Sequence, residues 1–468
     1  MTVRVRFAPS PTGKLHIGNI RTALMNALYA KRNGGVFVLR FEDTDFEREV
    51  RGAESQMLDD MAWLGMSPDE GPHKDGGFGP YYTMQRAERG DYKEALEKLF
   101  ADGRAYECFV TKDELDLMRK IQSSQGKPPH YDNRHRNLTE AEKDAFRAEG
   151  RESVIRFKLN EGKIHFDDMV RGTVEFDAAN LGGDPVIIRS NGVPIFAFGG
   201  AVDDVNQKIT HVIRGEDHVT NTAIQVQIFE ALGGTVPIFA HMPMLAAEDG
   251  SKLSKRLDSF SLQEMRAEGY HPLAILNYIA SLGFSDMPKA TTVEELSQQV
   301  DISKMGRSTV RLDVSQLKKA NAHILHELSY EGAKPFLAAV DAWKRVPEDK
   351  KETFWMVVRG NIERFDEIDP LVEICFAADM ASPALEADDK SYIEAAVECL
   401  PASPYTEATW QEWTGTLKEK TSRKGKALFM PLRLALTGMN HGPELADLMP
   451  VIGEKLTKKR LQSAAKGV

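Results

Sequence analysis

The stretch Phe7-Ala-Pro-Ser-Pro-Thr-Gly-Lys-Leu-His-Ile-Gly-Asn19 decides the fold class of this chain. Residues 3–7 alternate apolar and charged side chains, as in a β-strand, and apolar residues after position 19 recur at helical spacing. His16, Gly18 and Asn19 therefore lie where a strand and loop run into a helix N-terminus. Backbone N–H groups and the helix dipole favour phosphate there, and Gly18 allows a ligand to approach the backbone. The alternative is an ordinary loop in which His16 caps the helix.

A basic motif far downstream, Lys252-Leu-Ser-Lys-Arg256, favours the phosphate interpretation. Gly250 and Ser251 precede it and indicate a loop. Taken alone, the pentapeptide is typical of a basic surface turn. Beside the first motif, that alternative is disfavoured, and the pair of motifs favours phosphate binding at the helix N-terminus.

The two motifs together resemble the signature motifs of class I aminoacyl-tRNA synthetases, and Arg40-Phe-Glu-Asp-Thr-Asp45 narrows the resemblance to the glutamyl branch. The similarity extends over essentially the whole chain, through Gly192-Val-Pro, Val202-Asp-Asp204, Ile213-Arg-Gly-Glu-Asp-His218 and Leu434-Ala-Leu-Thr-Gly followed by His441-Gly-Pro-Glu-Leu445. The resemblance implies a bacterial-type glutamate–tRNA ligase. Such an enzyme forms glutamyl-adenylate from ATP and then transfers glutamate to tRNA.

The resemblance implies that ATP binds at the two motifs, with Mg²⁺ on its phosphate oxygens. His16 is expected to donate a hydrogen bond to phosphate, and Lys255 to neutralise the departing pyrophosphate; both are the predicted catalytic residues. Asn19 stands where the class has a second histidine, although its amide can still donate. The ATP-binding residues implied are Pro9, His16, Gly18, Asn19, Lys252, Ser254, Lys255 and Arg256.

The resemblance also implies a glutamate pocket. Arg6 and Arg214 correspond to carboxylate-binding arginines, because a guanidinium fork holds a carboxylate with two parallel bonds. Glu42 corresponds to the partner of the α-amino group. The remaining pocket residues implied are Ala8, Ser10 and Phe196. Phe196 replaces the tyrosine usual in the family, and Ile195 replaces a threonine, so weaker glutamate binding is expected.

Many relatives hold zinc in the segment that contains Cys108 and His135. A structural zinc site requires four ligands, and only these two residues are plausible ones. We therefore expect no metal ligands and no structural zinc. The fold of this segment should then depend on apolar packing of residues such as Leu99, Phe100, Tyr106 and Phe109.

The predicted fold is α/β: a doubly wound, Rossmann-like catalytic domain with an α+β insertion, followed by an all-α C-terminal anticodon-binding region. The pattern after about residue 322 lacks the alternating strands of a β-barrel. The predicted domains are 1–85 (catalytic, first half), 86–189 (acceptor-stem-binding insertion), 190–256 (catalytic, second half), 257–325 (stem-contact helical domain) and 326–468 (all-helical anticodon-binding domain).

Composition sets the remaining expectations. The 468 residues are 42% hydrophobic and 28% charged, which is ordinary for a globular protein. The net charge of −10 argues mildly against a nucleic-acid partner, but charge can be segregated in a chain of this length. The three cysteines are scattered, and the sequence shows no signal peptide and no long apolar run. These features predict a cytoplasmic protein without a membrane partner. We also expect a monomer.

Three questions stay open at this point. The substrate is tRNA-Glu, tRNA-Gln or both. A glutamyl transferase that modifies a tRNA base is a rival, although the long helical C-terminus argues against it. A non-catalytic tRNA-binding paralogue is the other rival, and His16, Glu42 and Lys255 argue against that one.

Overall fold

The computed structural model describes residues 2–11, 13–44, 50–251, 261–377 and 385–467. The chain divides into two compact units, Met1–Gln263 with Leu276–Asp313 and Glu264–Ile275 with Val314–Val468.

The described strands are, in chain order, β1 (Arg4–Phe7), β2 (Val36–Leu39), β3 (Ala105–Cys108), β4 (Val154–Phe157), β5 (Lys163–Asp168), β6 (Gly172–Asp177), β7 (Val186–Ile188), β8 (His211–Gly215), β9 (Ile238–Met242), β10 (Leu245–Ala246) and β11 (Val310–Arg311).

The described helices are α1 (Ile17–Arg32), α2 (Ala53–Trp63), α3 (Thr83–Arg89), α4 (Asp91–Ala101), α5 (Lys112–Ser124), α6 (Glu140–Ala148), α7 (Phe196–Asn206), α8 (Val219–Leu232), α9 (Leu262–Ala267), α10 (Pro272–Ser281), α11 (Val293–Gln299), α12 (Val314–Glu327), α13 (Tyr330–Leu337), α14 (Lys351–Val358), α15 (Asp369–Phe376), α16 (Ala387–Glu398), α17 (Glu407–Thr421), α18 (Lys426–Thr437), α19 (Leu445–Ile452) and α20 (Glu454–Lys466).

The predicted opening of the chain, strand then loop then helix, is confirmed. β1 and β2 pair in parallel, from Arg4 opposite Val36 to Phe7 opposite Leu39, with α1 as the crossover. The N–H of Thr210 donates to the carbonyl oxygen of Arg4 at 2.9 Å, so β1 lies beside the start of β8. The carboxyl ends of these strands therefore meet at one edge, which is where open α/β sheets bind ligands.

The second half of this sheet has the strand order β6-β5-β9-β8. β8 and β9 are parallel, β5 joins β9 in parallel at Asp168 opposite Phe239, and β6 is antiparallel to β5. β5 and β6 fall within 86–189, the range predicted as an insertion, yet they pair with the catalytic sheet. The sequence pattern does not indicate β5, and the predicted insertion therefore includes it.

A separate antiparallel sheet, β3-β4-β7, also lies within the range 86–189, together with α4, α5 and α6. Leu99, Tyr106 and Phe109 are buried, as expected for the packing of this segment. Phe100 is not part of that packing: its side chain is 42% exposed, which corrects the expectation. It neighbours Leu99 on α4, and adjacent positions on a helix face different directions.

The C-terminal unit is helical: from residue 314 onward the described residues contain no strand. The predicted helical C-terminal region is therefore confirmed. Its helices share one apolar core whose largest buried side chains are Trp343, Phe354, Trp355 and Trp413. Among the described helices of the chain, none is both long enough and apolar enough to cross a membrane.

Candidate active site

His16 joins the loop after β1 to α1. It is the N-cap of the helix, and its Nδ1 accepts the backbone N–H groups of Gly18 at 3.2 Å and Asn19 at 3.4 Å. Burial lowers the pKa of His16, which favours the neutral imidazole. Because Nδ1 accepts, the ring proton of the neutral form lies on Nε2. His16 is thus both a cap and a hydrogen-bond donor at its outer nitrogen.

Gly18 has a different role from the one expected. A Cβ at this position would lie 3.2 Å from both Nδ1 and Cε1 of His16, so the glycine makes room for the imidazole ring. The N–H groups of Gly18 and Asn19 already donate to His16 and are not available to phosphate in this arrangement. The donors that this helix N-terminus can offer therefore come from side chains: the Nε2–H of His16 and the amide of Asn19, both of which line a cavity.

A cavity of about 620 Å³ opens beside His16 at the carboxyl ends of the parallel strands. The N-terminus of α1, with its cap, contributes His16, Gly18 and Asn19 to the wall, and the ends of β8 and β9 with the segments after them contribute another part of it. The residues missed by the sequence analysis that line it include Arg21, Thr22, Gly215, Asp217, His218, Thr309 and the run from Met242 to Ala246.

The basic motif cannot be located against this cavity, since Lys252, Ser254, Lys255 and Arg256 lie outside the described residues. Gly250, two residues before the motif, does line the cavity. Its φ of +80° favours glycine, as expected of a tight turn.

A buried ionic cluster lies behind the strand ends. Arg40 is fully buried, and its Nη1 donates to Oδ1 of Asp204 at 2.9 Å and to Oε1 of Gln207 at 2.8 Å. Arg6 donates from Nε to both oxygens of Asp204, at 3.2 and 3.3 Å. Burial alone would raise the pKa of Asp204, but Arg6 and Arg40 hold it below its usual value. Asp204 therefore fixes Arg6 through its Nε.

Glu42 follows β2 at the edge of this cluster. Its Oε1 lies 3.5 Å from Nη2 of Arg40, and its backbone N–H donates to the carbonyl oxygen of Pro9 at 3.0 Å. Burial raises the pKa of Glu42, while the charges of Arg40 and Arg6 oppose the rise. The Pro9 contact ties the loop after β1 to the end of β2.

Arg214, in β8, is held on two sides. Its Nη2 donates to Oγ1 of Thr222 at 2.7 Å and to Oε1 of Gln225 at 2.6 Å, and its Nε donates to Nε2 of His241 at 3.3 Å. Nη1 is buried and has no hydrogen-bond partner within the described residues. Burial, and then the charge of Arg6, lower the pKa of Arg214 to about 9. A nearby anion would relieve both effects.

These contacts correct the expected two-bond fork at Arg214. Both hydrogens of Nη2 and the hydrogen of Nε are already engaged, so only Nη1 can bind a ligand. For Arg6, only Nε is engaged within the described residues, which leaves both of its Nη atoms to donate. The two arginines thus offer an anion three donor nitrogens rather than two complete forks.

Phe196, the first residue of α7, lies beside Arg214. Its ring centroid is 4.9 Å from that of His218 and 6.0 Å from the guanidinium carbon of Arg214, and the side chain is 38% exposed. Ala8 is half-buried and Ser10 is exposed in the loop that follows β1.

Cys108 and His135 have protein partners. The thiol of Cys108 lies 3.2 Å from Nε of Arg156 and 3.4 Å from the Tyr131 hydroxyl, and Nδ1 of His135 accepts the N–H of Phe109 at 3.1 Å. Within the described ranges, no group of three or more His, Cys, Asp or Glu side chains is arranged to hold a metal ion. The expected lack of zinc remains a prediction.

The acid pair Asp203 and Asp204 of α7 supports the family resemblance in the sequence, but its pattern also indicates a buried ionic cluster, which the predicted site does not include. Asp203 and Asp204 occur together in an otherwise apolar helix, and buried acids require cationic partners. Burial raises the pKa of Asp203 to about 7, against the charges of Arg40 and Arg86. By contrast, nothing in the local sequence distinguishes Thr222, Gln225 or His241 as partners of an arginine.

Comparison with known proteins identifies the class. Residues 2–323 match the family described as tRNA synthetases class I (E and Q), catalytic domain, and residues 328–465 match an anticodon binding domain. The chain therefore belongs to the class I tRNA synthetases of the E and Q type.

The full-length relatives of the chain include glutamate–tRNA ligases. The chain is 43% identical to glutamate–tRNA ligase 1 of Maricaulis maris (strain MCS10), over 99% of both chains. It is 42% identical to glutamate–tRNA ligase 2 of Methylobacterium radiotolerans, over 98% of this chain and 99% of the relative. A glutamate–tRNA ligase from Elizabethkingia meningosepticum, solved in complex with its amino acid, superposes with a TM-score of 0.87 at 32% identity, covering 100% of this chain and 99% of that one.

Proposed function

We propose that this chain attaches glutamate to tRNA in two ATP-dependent steps, through glutamyl-adenylate. The observation that carries the proposal is the buried Nη1 of Arg214, which has two unengaged donor hydrogens within the described structure. Arg6 lies close enough to lower the pKa of Arg214, so the two cations create a site for an anion. The names of the full-length relatives support glutamate as that anion.

The donors of Arg6 and Arg214 suit glutamate better than glutamine. We assign the side-chain carboxylate to Nη1 of Arg214 and the Nη atoms of Arg6, and the α-ammonium to Glu42. A carboxylate accepts from every donor around it, whereas an amide places its own N–H₂ group against donors. Leaving a buried donor unsatisfied costs about 1–3 kcal/mol, roughly a ten- to hundredfold difference in discrimination.

In the first step, an oxygen of the α-carboxylate attacks the α-phosphorus of ATP. The bond to the β-phosphate breaks and pyrophosphate leaves. We assign the Nε2–H of His16 to a phosphate oxygen, and Lys255 to the leaving pyrophosphate. Chemistry of this kind depends on positioning and on donors aimed at developing charge.

Mg²⁺ enters this proposal as a companion of ATP. No cluster of potential ligands was found among the described residues, and Mg²⁺ commonly binds through substrate phosphates and water. Because Mg²⁺ commonly binds in this way, we assign it to the phosphate oxygens of ATP.

In the second step, a hydroxyl of the terminal ribose of tRNA attacks the acyl carbon of the adenylate, and AMP leaves. The match of residues 328–465 to an anticodon binding domain supports tRNA as the acceptor. We further propose that the protein acts as a monomer in the cytoplasm. Its three free cysteines suit a reducing compartment.

Aminoacylation of purified tRNA-Glu and tRNA-Gln, side by side, tests the proposal. We expect glutamate to be attached to tRNA-Glu, and the rate with tRNA-Gln decides whether the enzyme discriminates. Arg214→Gln should lose at least tenfold in kcat/KM for glutamate and should reject glutamine less well. Arg32→Gln is the matched control, because Arg32 lies at the far end of α1 and donates to the carbonyl oxygen of Val300. Unchanged glutamate use in Arg214→Gln would place the carboxylate site elsewhere.

A further inference from the structure

We propose that His241 and Asp168 are positioning residues that select which nitrogen of Arg214 faces the substrate. The inference rests on the proposed function, in which Arg214 binds the side-chain carboxylate of glutamate. It adds two residues to the basis of amino-acid specificity, neither of which touches the substrate.

The first part of the arrangement is a buried acid–imidazole pair. Oδ2 of Asp168, at the end of β5, lies 2.6 Å from Nδ1 of His241 in β9, and both side chains are completely buried. Asp168 also accepts the backbone N–H groups of His241, Val170 and Arg171. Four donors around one carboxyl group favour its ionised form. The proton between the pair therefore lies on Nδ1 of His241.

The second part is the lone pair that this tautomer leaves on Nε2. A neutral imidazole protonated on Nδ1 accepts at Nε2. That atom lies 3.3 Å from Nε of Arg214 and 2.9 Å from Oγ1 of Thr222. By holding the ring proton on Nδ1, Asp168 makes Nε2 of His241 an acceptor, which can receive the hydrogen bond from Nε of Arg214.

The third part is the planarity of the guanidinium group. Its Nε is held by His241, and its Nη2 by Thr222 and Gln225. Fixing two nitrogens of a planar group fixes the direction of the third. Nη1 has no partner within the described residues. The contacts of Nε and Nη2 therefore determine its direction, rather than the rotamer preference of the Arg214 side chain.

The sheet holds the imidazole in this orientation. Arg214 and His241 are register partners in the parallel β8–β9 pair, and Asp168 is opposite Phe239 where β5 joins β9. The Phe239 ring stacks on the imidazole at 5.9 Å with an interplanar angle of 12°, and the Phe166 ring meets it edge-on at 6.1 Å. Rotation of the ring would lose both the packing and the Asp168 contact.

The test begins with His241→Phe, which keeps an aromatic ring between Phe166 and Phe239 but removes the acceptor. We expect kcat/KM for glutamate in tRNA-Glu aminoacylation to fall about ten- to a hundredfold, with KM for ATP changed less than about threefold. Discrimination against glutamine should fall with it. His211→Phe is the matched control, since His211 is a half-buried histidine of β8 that packs on Tyr29.

A double-mutant cycle with Arg214→Gln separates positioning from simple structural support. If His241 acts through Arg214, adding His241→Phe to Arg214→Gln should cause little further loss in glutamate use. Asp168→Asn supplies a second variant should His241→Phe fail to fold. Its amide can donate to Nδ1, which moves the ring proton to Nε2 and turns a donor toward Arg214, so the same selective loss is expected.

The outcomes separate the two proposals. A wild-type protein that does not charge tRNA with glutamate contradicts the proposed function, whatever the variants do. If the wild-type protein charges tRNA, two results overturn the positioning role alone. In the first, His241→Phe and Asp168→Asn lower kcat/KM for glutamate and for ATP to the same extent. In the second, their loss of glutamate use adds fully to that of Arg214→Gln.

Discussion

Nδ1 of His16 accepts the backbone N–H of Gly18 at 3.2 Å, so one imidazole caps α1 and also faces the cavity. The two roles use different nitrogens. The cap requires an acceptor at Nδ1, and the proposed contact with phosphate requires a donor at Nε2. The cap therefore fixes the tautomer that the chemistry needs.

His16→Asn should separate these roles. Asparagine is among the best N-cap residues, so the variant should melt within a few degrees of the wild type. It lacks a donor at the position of Nε2, so the rate of adenylate formation should fall about a hundredfold or more. His16→Ala should show the same rate loss and also lose about 1 kcal/mol of stability. ATP–pyrophosphate exchange in the presence of tRNA, with thermal melts alongside, measures both effects. A fully active His16→Asn would leave the residue with capping alone.

Local patterns in the sequence were sufficient for the elements around this site. Alternation over residues 3–7 predicted β1, and helical spacing predicted α1, because both depend on neighbours in the chain. The resemblance to a family then drew attention to Arg6, Glu42 and Arg214.

The contacts that orient those side chains could not be predicted in the same way. Asp204 reaches Arg6 across 198 positions of sequence, and Asp168 reaches His241 across 73. Such pairs depend on strand order and register, which local periodicity does not contain. The same limit applies to β5: its partner β9 lies far along the chain, and local periodicity does not indicate that residues 163–168 join the catalytic sheet.

Lys255→Ala should lower the rate of glutamate activation about a hundredfold or more. The lysine is proposed to stabilise charge on the leaving pyrophosphate, and losing one such donor commonly has an effect of this size. KM for glutamate should change much less, because the lysine acts at the other end of the reaction. Lys31→Ala, which removes a surface lysine paired with Glu294, serves as the control. An activation rate within a few-fold of wild type would show that this loop has another role.

The purified protein should contain no stoichiometric zinc, and chelators should leave its melting temperature unchanged. Cys108 and His135 contact protein atoms in the described structure, and a structural site needs four ligands. About one zinc per chain by elemental analysis, after gentle purification, would contradict this prediction.

A substitution at Asp184 tests what stabilises the segment that contains Cys108 and His135. It is buried, and accepts from the Tyr106 hydroxyl at 2.8 Å and from Nε and Nη2 of Arg136 at 2.6 and 2.7 Å. Breaking a fully buried pair by removing one charge costs about 3–5 kcal/mol, and we expect a smaller cost here because the side chain of Arg136 is 20% exposed. Asp184→Asn should therefore lower the melting temperature in the same buffer in which a chelator does not. Equal melting of variant and wild type would mean that the network contributes little.

His271 should make the C-terminal unit sensitive to acid. Its Nδ1 accepts the N–H of Leu273 at 3.2 Å, its ring lies 4.6 Å from that of Phe336, and burial lowers its pKa to about 4. In the unfolded chain the pKa is about 6.5, so protons bind the unfolded state first. The contribution of His271 to stability is therefore complete above about pH 6.5 and declines as the pH falls toward 4, by roughly 3 kcal/mol in all.

His271→Asn keeps an acceptor for Leu273 and does not titrate. Urea denaturation at pH 7 and pH 4.5 measures the free energy of unfolding at each pH. The decrease between the two pH values should be smaller for this variant than for the wild type. The control is His323→Asn, at an exposed position of α12, which should lose as much stability as the wild type. An equal loss in all three proteins would mean that His271 can be protonated without unfolding its surroundings.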